Sequence, residues 1–320
     1  MKTWKQILSL FLIAALFVSF DLSVYLFFTR RCTRRFAAGA IEPAAYLPFG
    51  EDSGIVKIEA EKLTGELPVL DGAAALLPVY SAVFHALYPE GACAFDGAGY
   101  APESKMQYRN TRGAYEALVD GDADLIFCAA PSRQQLEYAA LKGVELELTP
   151  IGLEAFVFFV NEHNPVSGLT QEQLRDIYAG ALTNWKEVGG PDRLICALQR
   201  NPGSGSQSRF LAFMEGRPTG HEPFAFLGAS VGFSFRYYVD GIVKADGVKL
   251  LAVDGVYPGG EEIRAGTYPL AGPFYAVSRK GDPNPNLSRI LEFVLSPQGQ
   301  RIVEESGYVS VNGTGAGGGE

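Results

Sequence analysis

Apolar and polar positions along this chain alternate in blocks whose lengths are typical of strands and helices. Short apolar runs predict strands of a buried sheet, and longer amphipathic runs predict helices between them. The predicted strands are Ile55–Ile58, Asp124–Cys128, Ala155–Val160, Leu194–Leu198 and Val248–Val253, with a return crossing over Tyr268–Ser278. The predicted helices are Ala75–Tyr88, Ser132–Leu141, Thr170–Tyr178, Ser208–Met214 and Asn286–Glu305, the last interrupted at Pro297. This alternation predicts an α/β fold, and the unbroken run Ala155–Val160 indicates a parallel sheet covered on both faces.

The N-terminus has a different pattern, because Ile7–Phe28 is a nearly continuous apolar run broken by Asp21. Its length suits a membrane span better than the core of a cleaved signal peptide. We therefore predict an uncleaved signal anchor, a transmembrane helix, over residues 1–29 and a juxtamembrane linker over residues 30–50. Cleavage near Ala38–Ala40 is the competing interpretation. The run is followed by four arginines, Arg30, Arg31, Arg34 and Arg35. By the positive-inside rule these arginines favour a cytoplasmic body.

The composition is that of an ordinary globular chain and excludes some partners. The 320 residues are enough for two lobes with sizeable cores, and the formal net charge is −9 with a pI near 5.0. Such an acidic chain has no general attraction for nucleic acid. His85, His163 and His221 have no metal-ligand spacing, and the four cysteines form no Cys-x-x-Cys pattern, so we expect no metal site. A disulfide between Cys93 and Cys128 and a pair of free thiols both remain open.

The segment Arg200–Gln207 carries the clearest candidate chemistry. It reads Arg-Asn-Pro-Gly-Ser-Gly-Ser-Gln between a predicted strand and a predicted helix. A strand, a Gly-Ser turn and a helix start place free N–H groups and the positive end of a helix dipole at one point. Arg200 adds a planar fork of donors that fits a tetrahedral oxyanion, and Ser204 and Ser206 add hydroxyls. The pattern predicts anion capture, with a simple helix N-cap as the competing interpretation. The segment matches no P-loop, dinucleotide or nucleophile-elbow motif.

Several segments upstream of this turn, taken together with it, resemble those of a known protein family. They are Pro150–Asn161, Asn164–Pro165, Leu169–Gly180 and Thr183–Gly190, the last of which contains Asn-Trp. Together with the Arg-x-x-x-Ser-Gly-Ser segment, the series resembles the periplasmic phosphate-binding proteins of ABC transporters, in the phosphate-binding-like branch of Gram-positive bacteria. The resemblance covers about Val69 to Val311. It implies a two-lobe periplasmic-binding-protein fold, type II-like, in which two hinged α/β lobes hold the ligand in a cleft.

The resemblance also implies a domain organisation. Lobe 1 is expected over residues 51–153, lobe 2 over residues 154–267, a return crossing with closing helices over residues 268–311, and a disordered Gly-rich tail over residues 312–320. Glu154 would then lie at the first hinge crossing. There it is either a hydrogen-bonding group of the hinge or an acceptor for a proton of the ligand.

Four loops of the resemblance supply the expected ligand contacts. The residues are Ala74 and Ala75 in the first loop, Thr111 in the second, Ser132 in the third, and Arg200, Gly203, Ser204, Gly205, Ser206 and Gln207 in the fourth. Two departures concern the ligand more than the fold. The family usually has Ser or Thr where this chain has Ala74, so one hydroxyl is lost. The family's third loop often carries an Asp that accepts the ligand's proton, but Phe127–Ser132 contains none, so Ser132 is the expected substitute.

The resemblance predicts solute capture rather than catalysis. The expected ligand is inorganic phosphate or a related tetrahedral oxyanion, with sulfate, molybdate and tungstate left open. The expected partners are ABC permease subunits and, through the N-terminal helix, the cell membrane, with the body on the extracytoplasmic side; no cofactor or nucleic acid is expected. The alternative is a membrane-anchored oxyanion-sensing or accessory domain without a transport role. An enzyme would need a nucleophile–base pair or a metal site, which three scattered histidines do not supply.

Overall fold

The computed structural model of the protein describes two compact units, Met1–Ala40 and Ile41–Glu320. The described residues are 4, 15–23, 41–220, 229–243 and 247–311. In the first unit, residues 15–23 form an exposed helical segment. None of the helices within these described ranges is long and apolar enough to cross a membrane. The rest of the predicted anchor Ile7–Phe28, linker residues 30–40, Cys32, His221 and the tail 312–320 lie outside the described residues.

The second unit is built around a mixed sheet of seven strands, with two further strands in a small separate sheet. The strands are β1 (Leu70–Gly72), β2 (Leu125–Ala129), β3 (Leu146–Asn161), β4 (Gly168–Leu169), β5 (Ile195–Ala197), β6 (Ala229–Phe235), β7 (Val248–Leu250), β8 (Ala252–Val253) and β9 (Ala271–Arg279). The order in the large sheet is β1-β2-β9-β3-β6-β5, and β7 also pairs with β3. The small sheet joins β4 and β8 in parallel.

Helices pack against this sheet and follow most of its strands. The α-helices are α1 (Leu77–Leu87), α2 (Asn110–Asp120), α3 (Arg133–Leu141), α4 (Gln171–Ala179), α5 (Gly205–Phe213), α6 (Gly260–Arg264), α7 (Pro285–Leu295) and α8 (Pro297–Glu305). Short 3-10 turns cover Pro43–Tyr46, Ala74–Leu76, Glu90–Ala92 and Trp185–Val188, and a π-helical turn covers Tyr238–Val243. The mixed α/β class predicted from the alternation is confirmed.

Strand β3 runs through both halves of the sheet. Residues 146–155 pair with β9 and residues 156–160 pair with β6. Both neighbours are antiparallel, so the parallel environment predicted for Ala155–Val160 is wrong. This stretch is nevertheless buried almost throughout. An unbroken apolar run indicates that both faces of a strand are buried, whatever the direction of its neighbours. The expected boundary between residues 153 and 154 falls inside this continuous strand.

Separate hydrophobic cores lie on the two sides of this crossing, and we call the surrounding regions lobe 1 and lobe 2. Lobe 1 buries α1 against α7 and α8, while a smaller cluster sits under α2. Lobe 2 is packed with aromatic rings from β3, β6, α4 and α5. Phe210 and Phe233, for example, stack at 4.3 Å between ring centroids. The closing helices therefore return the chain to lobe 1.

Local helix signals in the sequence correspond to the observed helix ends. Thr170 and Gln173 form a reciprocal capping box at the start of α4, in which each side chain accepts a hydrogen bond from the other residue's backbone N–H. Pro78 occupies the first turn of α1, where no intrahelical N–H is needed. Both features are local sequence signals for a helix start, and both lie at the observed helix starts.

The structure differs from the sequence-based predictions at three local points. Residues 55–58 form no strand within the described part of the chain; Ile55 is buried against the lobe 1 core without a neighbouring strand. The predicted strand Val248–Val253 is broken at Leu251 into β7 and β8, which belong to different sheets. Cys93 and Cys128 are free thiols, so the disulfide alternative is wrong.

Candidate functional site

A cleft of about 800 Å³ opens between the two lobes. Its wall includes residues at the starts of four helices: Ala75 before α1, Thr111 in α2, Ser132 before α3 and Gly205 at the start of α5. The first N–H groups of a helix have no intrahelical acceptor, and the helix dipole is positive at that end. Four such ends directed at one space make the cleft suited to an anion.

The turn that opens α5 is shaped by glycine and serine. Gly203 has φ +82°, a left-handed conformation that a residue without Cβ adopts easily. Ser204 is the N-cap of α5, and its hydroxyl oxygen accepts the N–H of Gln207 at 3.2 Å. The helix geometry leaves the N–H groups of Gly205 and Ser206 without intrahelical acceptors. The N-cap interpretation and the anion-site interpretation of this turn are therefore compatible.

Gln207 connects the turn to the strand before it. Its side-chain oxygen accepts the backbone N–H of Arg200 at 2.9 Å, and its amide nitrogen donates to the side chain of Gln199 at 3.1 Å. Gln207 is buried and lines the cleft, but its polar atoms are used within the turn. The structure therefore shows Gln207 positioning Arg200.

Arg200 is half-buried at the end of the segment after β5, and its guanidinium carbon lies 5.5 Å from the ring centroid of Tyr238. In the described structure the cleft wall includes Gly203, Gly205 and Gln207 from this turn, but not Arg200, Ser204 or Ser206. The Tyr238 ring packs against the lobe 1 core, so this cation–π contact joins Arg200 of the α5 turn to the other lobe.

The second and fourth loops meet across the cleft. A Cβ atom built on Gly205 would lie 3.0 Å from the Thr111 hydroxyl oxygen and 3.7 Å from the Phe235 ring. One built on Gly203 would lie 3.0 Å from Cδ of Arg112. Two residues predicted from separate motifs, Thr111 and Gly205, are thus neighbours, and the absent glycine side chain permits this close approach.

The first loop is held in place from two sides. Ala73 donates its N–H to the carbonyl of Phe127 at 2.9 Å, and the carbonyl of Ala75 accepts the hydroxyl of Tyr308. Ala73 and Ala75 line the cleft. Ala74, the position where the resemblance implies a lost hydroxyl, packs against the lobe 1 core.

A buried ion pair that the sequence analysis missed joins the first and second loops. Asp71 is fully buried, and its carboxylate lies 2.8 Å from the guanidinium of Arg109. The same carboxylate accepts the N–H groups of Gly72 at 2.7 Å and Arg109 at 2.9 Å. A buried carboxylate requires such partners, so Asp71 within the apolar strand β1 was the available signal.

The third loop supplies a capped helix and a cation. Ser132 forms a capping box with Gln135, accepting its N–H at 3.3 Å and donating its own N–H to the Gln135 side chain at 2.7 Å. Arg133 also lines the cleft, is 91% exposed and pairs with Glu137 at 2.7 Å. Arg209 lines the cleft from α5. Neither arginine was predicted, although each follows a predicted helix start.

Glu154 is the carboxylate on the cleft wall, at the point where β3 passes from β9 to β6. It is only 8% exposed, and its two oxygens accept the N–H groups of Ala155 at 2.8 Å and Tyr237 at 3.2 Å. Burial raises the pKa of the Glu154 carboxyl to about 7, against the opposing effects of these hydrogen bonds and of Arg236. Glu154 is therefore at least a hydrogen-bonding group of the crossing.

The described residues contain no group of three or more His, Cys, Asp or Glu side chains that could hold a metal ion. The fold and the cleft define a two-lobe binding protein. Residues 92–298 match the model of a PBP superfamily domain, which is more than half of the chain. The chain therefore belongs to the PBP (periplasmic-binding-protein) superfamily.

Curated relatives are named phosphate-binding proteins. The chain is 25% identical over 227 residues to the phosphate-binding protein PstS of Borreliella burgdorferi, covering 63% of this chain and 81% of the relative. It is also 25% identical over 209 residues to the PstS of Bacillus subtilis, covering 61% and 65%. The match to the second relative thus spans less than two thirds of its length.

Solved structures share the fold. One is a phosphate ABC transporter substrate-binding protein with bound phosphate from Clostridium perfringens, at a TM-score of 0.57 and 20% identity, covering 76% of this chain and 99% of that one. Another is an ABC-type phosphate transport receptor from Vibrio cholerae, with the same TM-score, identity and coverage. These likenesses support the two-lobe architecture.

Proposed function

We propose that this protein binds phosphate between its lobes and serves as the substrate-binding component of a phosphate ABC transporter. The observation that carries the proposal is the start of α5, where Gly205 faces Thr111 of the opposite lobe within contact distance. Such a junction offers backbone N–H groups and hydroxyls to one small anion from two sides. The names of the curated relatives support phosphate as that anion.

Every predicted site residue has a role in the proposal, and that of Gln207 is to hold the backbone of Arg200. The N–H groups of Gly205 and Ser206 bind ligand oxygens at the positive end of α5, with Gly203 forming the turn and Ser204 adding a hydroxyl. Arg200 supplies the charge, turning from Tyr238 toward the cleft. From lobe 1 the contacts are the Thr111 hydroxyl, the free N–H groups of Ala74 and Ala75, and Ser132.

Capture in this proposal is a hinge closure about the strands that join the lobes. Among the described strands, β3 runs through both halves of the large sheet, so in this proposal a small change near Glu154 moves one lobe relative to the other. Closure excludes water, which strengthens the hydrogen bonds and charge interactions made to the ligand. No step in this role requires catalysis.

The proposal extends to the membrane and to a partner. The apolar run Ile7–Phe28 serves as an anchor, the body lies on the extracytoplasmic side, and the permease subunits of the transporter receive the ligand. Protease added to intact, wall-stripped cells tests the topology. Digestion of the body supports it, whereas full protection in cells with sealed membranes places the domain inside and excludes capture of an external solute.

Isothermal titration calorimetry on the full-length protein tests the ligand. We expect saturable binding of inorganic phosphate with one site per chain, and weaker binding of sulfate and molybdate. Absence of phosphate binding would overturn the proposal, and tighter sulfate or molybdate binding would reassign the oxyanion.

A further inference from the structure

The partner of Arg200 differs in kind from the partners of the arginines on the lobe 1 side of the cleft. The arginines of the second and third loops each pair with a carboxylate: Arg109 with Asp71 at 2.8 Å, Arg112 with Glu116 at 2.8 Å and Arg133 with Glu137 at 2.7 Å. None of the ion pairs in the described part of the chain includes Arg200. Its guanidinium carbon instead lies 5.5 Å from the ring centroid of Tyr238.

This difference affects how readily each arginine can turn to a ligand. A carboxylate partner competes with an incoming anion for the same N–H donors, and its negative charge offsets their attraction for that anion. An aromatic ring attracts a guanidinium through the quadrupole of its face and carries no compensating charge. Arg200 is therefore held in place while its positive charge stays available to an anion.

The contact with Tyr238 keeps the side chain of Arg200 outside the cleft. In the described part of the chain, the cleft wall includes Gly203 and Gly205 of the α5 turn but not Arg200. The backbone N–H of Arg200 donates to the side chain of Gln207 at 2.9 Å, so the turn is held independently of the guanidinium. A change of side-chain rotamer, without a change in the turn, is then the step that brings the guanidinium to a bound anion.

Tyr238 itself is held from the lobe 1 side. Its ring packs against the lobe 1 core, as does the ring of its neighbour Tyr237. Tyr237 contacts Tyr308 at 4.7 Å between ring centroids and donates its N–H to Glu154 at 3.2 Å. The hydroxyl of Tyr308 donates to the carbonyl of Ala75 in the first loop. The ring that holds Arg200 thus belongs to a packed aromatic group beside the crossing between the lobes.

The role of Tyr238 follows from these contacts. Building on the proposed function, we propose that Tyr238 is a positioning residue, which holds Arg200 outside the cleft until an anion draws the guanidinium away. The bound anion and the ring of Tyr238 compete for the same guanidinium, so the ring lowers phosphate affinity. Because the contact joins the α5 turn to the lobe 1 core, its release also removes one restraint on the movement of the lobes.

A series of ring substitutions tests this inference while keeping the shape of the contact. Tyr238→Phe retains the ring face, and one, two or three fluorine atoms on that phenylalanine withdraw electrons from the face and weaken its attraction for a cation. In calorimetric titrations of the full-length protein, we expect inorganic phosphate affinity to rise with each fluorine, by about threefold in total. Tyr257→Phe with the same fluorines is the matched control, because this tyrosine is 55% exposed and lies outside the described cleft wall. Its phosphate affinity should not change.

The same series in Arg200→Ala ties the effect to the guanidinium. Without the guanidinium the ring has no cation to withhold from the ligand, so Tyr238→Phe with and without three fluorines should bind phosphate equally weakly. A rise with fluorine that persists in Arg200→Ala overturns the inference. Affinity that stays level or falls along the series in the presence of Arg200, with phosphate still bound by the unmodified protein, overturns it as well and leaves the proposed function standing. No phosphate binding by the unmodified protein overturns both.

Discussion

The two sides of the cleft are built from the same kind of element, a strand followed by a helix start, but they differ in chemistry. The lobe 2 turn carries Arg200, Ser204 and Ser206 around its glycines. The lobe 1 loops present mainly alanine to the cleft, with Thr111 and Ser132 as hydroxyl-bearing exceptions. Backbone N–H groups and hydroxyls are available on both sides, and Arg133 brings a cation to the lobe 1 side, but the charge proposed to bind the ligand, Arg200, comes from lobe 2.

This difference distinguishes the ligand contacts that the backbone of the fold supplies from those that side chains supply. Helix starts offer N–H donors whatever their sequence, so an alanine-lined loop still attracts an anion weakly. Selectivity and most of the affinity require the charged fork and the hydroxyls. We therefore expect lobe 2 to capture the anionic group first and lobe 1 to act mainly by closing over it.

The largest expected effect is on the lobe 2 side. Arg200→Ala should weaken phosphate binding by roughly 2–4 kcal/mol, because a charge-assisted contact in a desolvated cleft is lost. Its thermal unfolding should be nearly unchanged, since the guanidinium is only half-buried. Calorimetric titration with phosphate measures the first effect, and scanning calorimetry without ligand measures the second.

Arg193→Ala is the control for Arg200→Ala, because this exposed arginine lies at the opposite end of the same strand β5. Its phosphate affinity should match that of the unmodified protein. Equal affinities in the two variants would remove Arg200 from the site and with it the proposed asymmetry between the lobes.

The carboxylate at the crossing between the lobes makes stability depend on pH. Glu154 has a folded-state pKa of about 7 against an ordinary value of 4.5, so the folded state binds its proton more tightly than the unfolded state does. Its stabilising contribution is therefore complete below about pH 4.5 and is lost as pH rises through 7. The full difference amounts to about 3 kcal/mol. We expect Glu154→Gln, which cannot ionise, to lose less stability between pH 5 and pH 8.

Urea unfolding of both proteins at several pH values between 5 and 8 isolates this contribution. Other titrating groups are common to the two proteins and cancel in the difference between their free energies of unfolding. If the difference does not change with pH, Glu154 ionises in the folded state as easily as in the unfolded state, and its burial carries no penalty.

Sequence reasoning succeeded where the signal was local. Capping residues such as Thr170 and Gln173, and the Gly-Ser turn before α5, act within one helical turn of their own positions, so they can be recognised without knowing the fold. The periodic apolar runs likewise predicted most of the helices and buried strands. Antiparallel pairing of β3 was missed because burial on both faces gives the same apolar pattern for either strand direction.

The parts of the site that were missed depend on contacts between distant residues. Tyr308 reaches Ala75 across more than two hundred positions, and Arg109 reaches Asp71 across 38. Phe235 gains its place beside Gly205 only after β6 pairs with β5. No short window of sequence contains both members of such a pair. The chemistry of the alanine-lined wall was similarly visible only once the loops were brought together.

Thr111 provides a smaller test from the lobe 1 side. Thr111→Val keeps the shape of the side chain but removes the hydroxyl that lies near Gly205, so phosphate binding should weaken by about 1 kcal/mol, roughly fivefold. Thr111→Ser retains the hydroxyl and should bind nearly as well as the unmodified protein. A loss as large as that in Arg200→Ala would show that the two lobes contribute equally.

The smallest expected effect is a gain from restoring a hydroxyl to the first loop. Ala75 lines the cleft while Ala74 packs on the lobe 1 core, so Ala75→Ser should tighten phosphate binding by about 0.5 kcal/mol, roughly twofold. The gain is near the lower end for a hydrogen bond, because the new hydroxyl loses water and rotamer freedom. Ala74→Ser is the matched control and should leave phosphate affinity unchanged. A gain in Ala74→Ser but not in Ala75→Ser would mean that the loop turns when phosphate binds and presents the position that the family resemblance assigns to the ligand. Weaker phosphate binding in Ala75→Ser would instead indicate that the added hydroxyl finds no hydrogen-bond partner and crowds the bound anion.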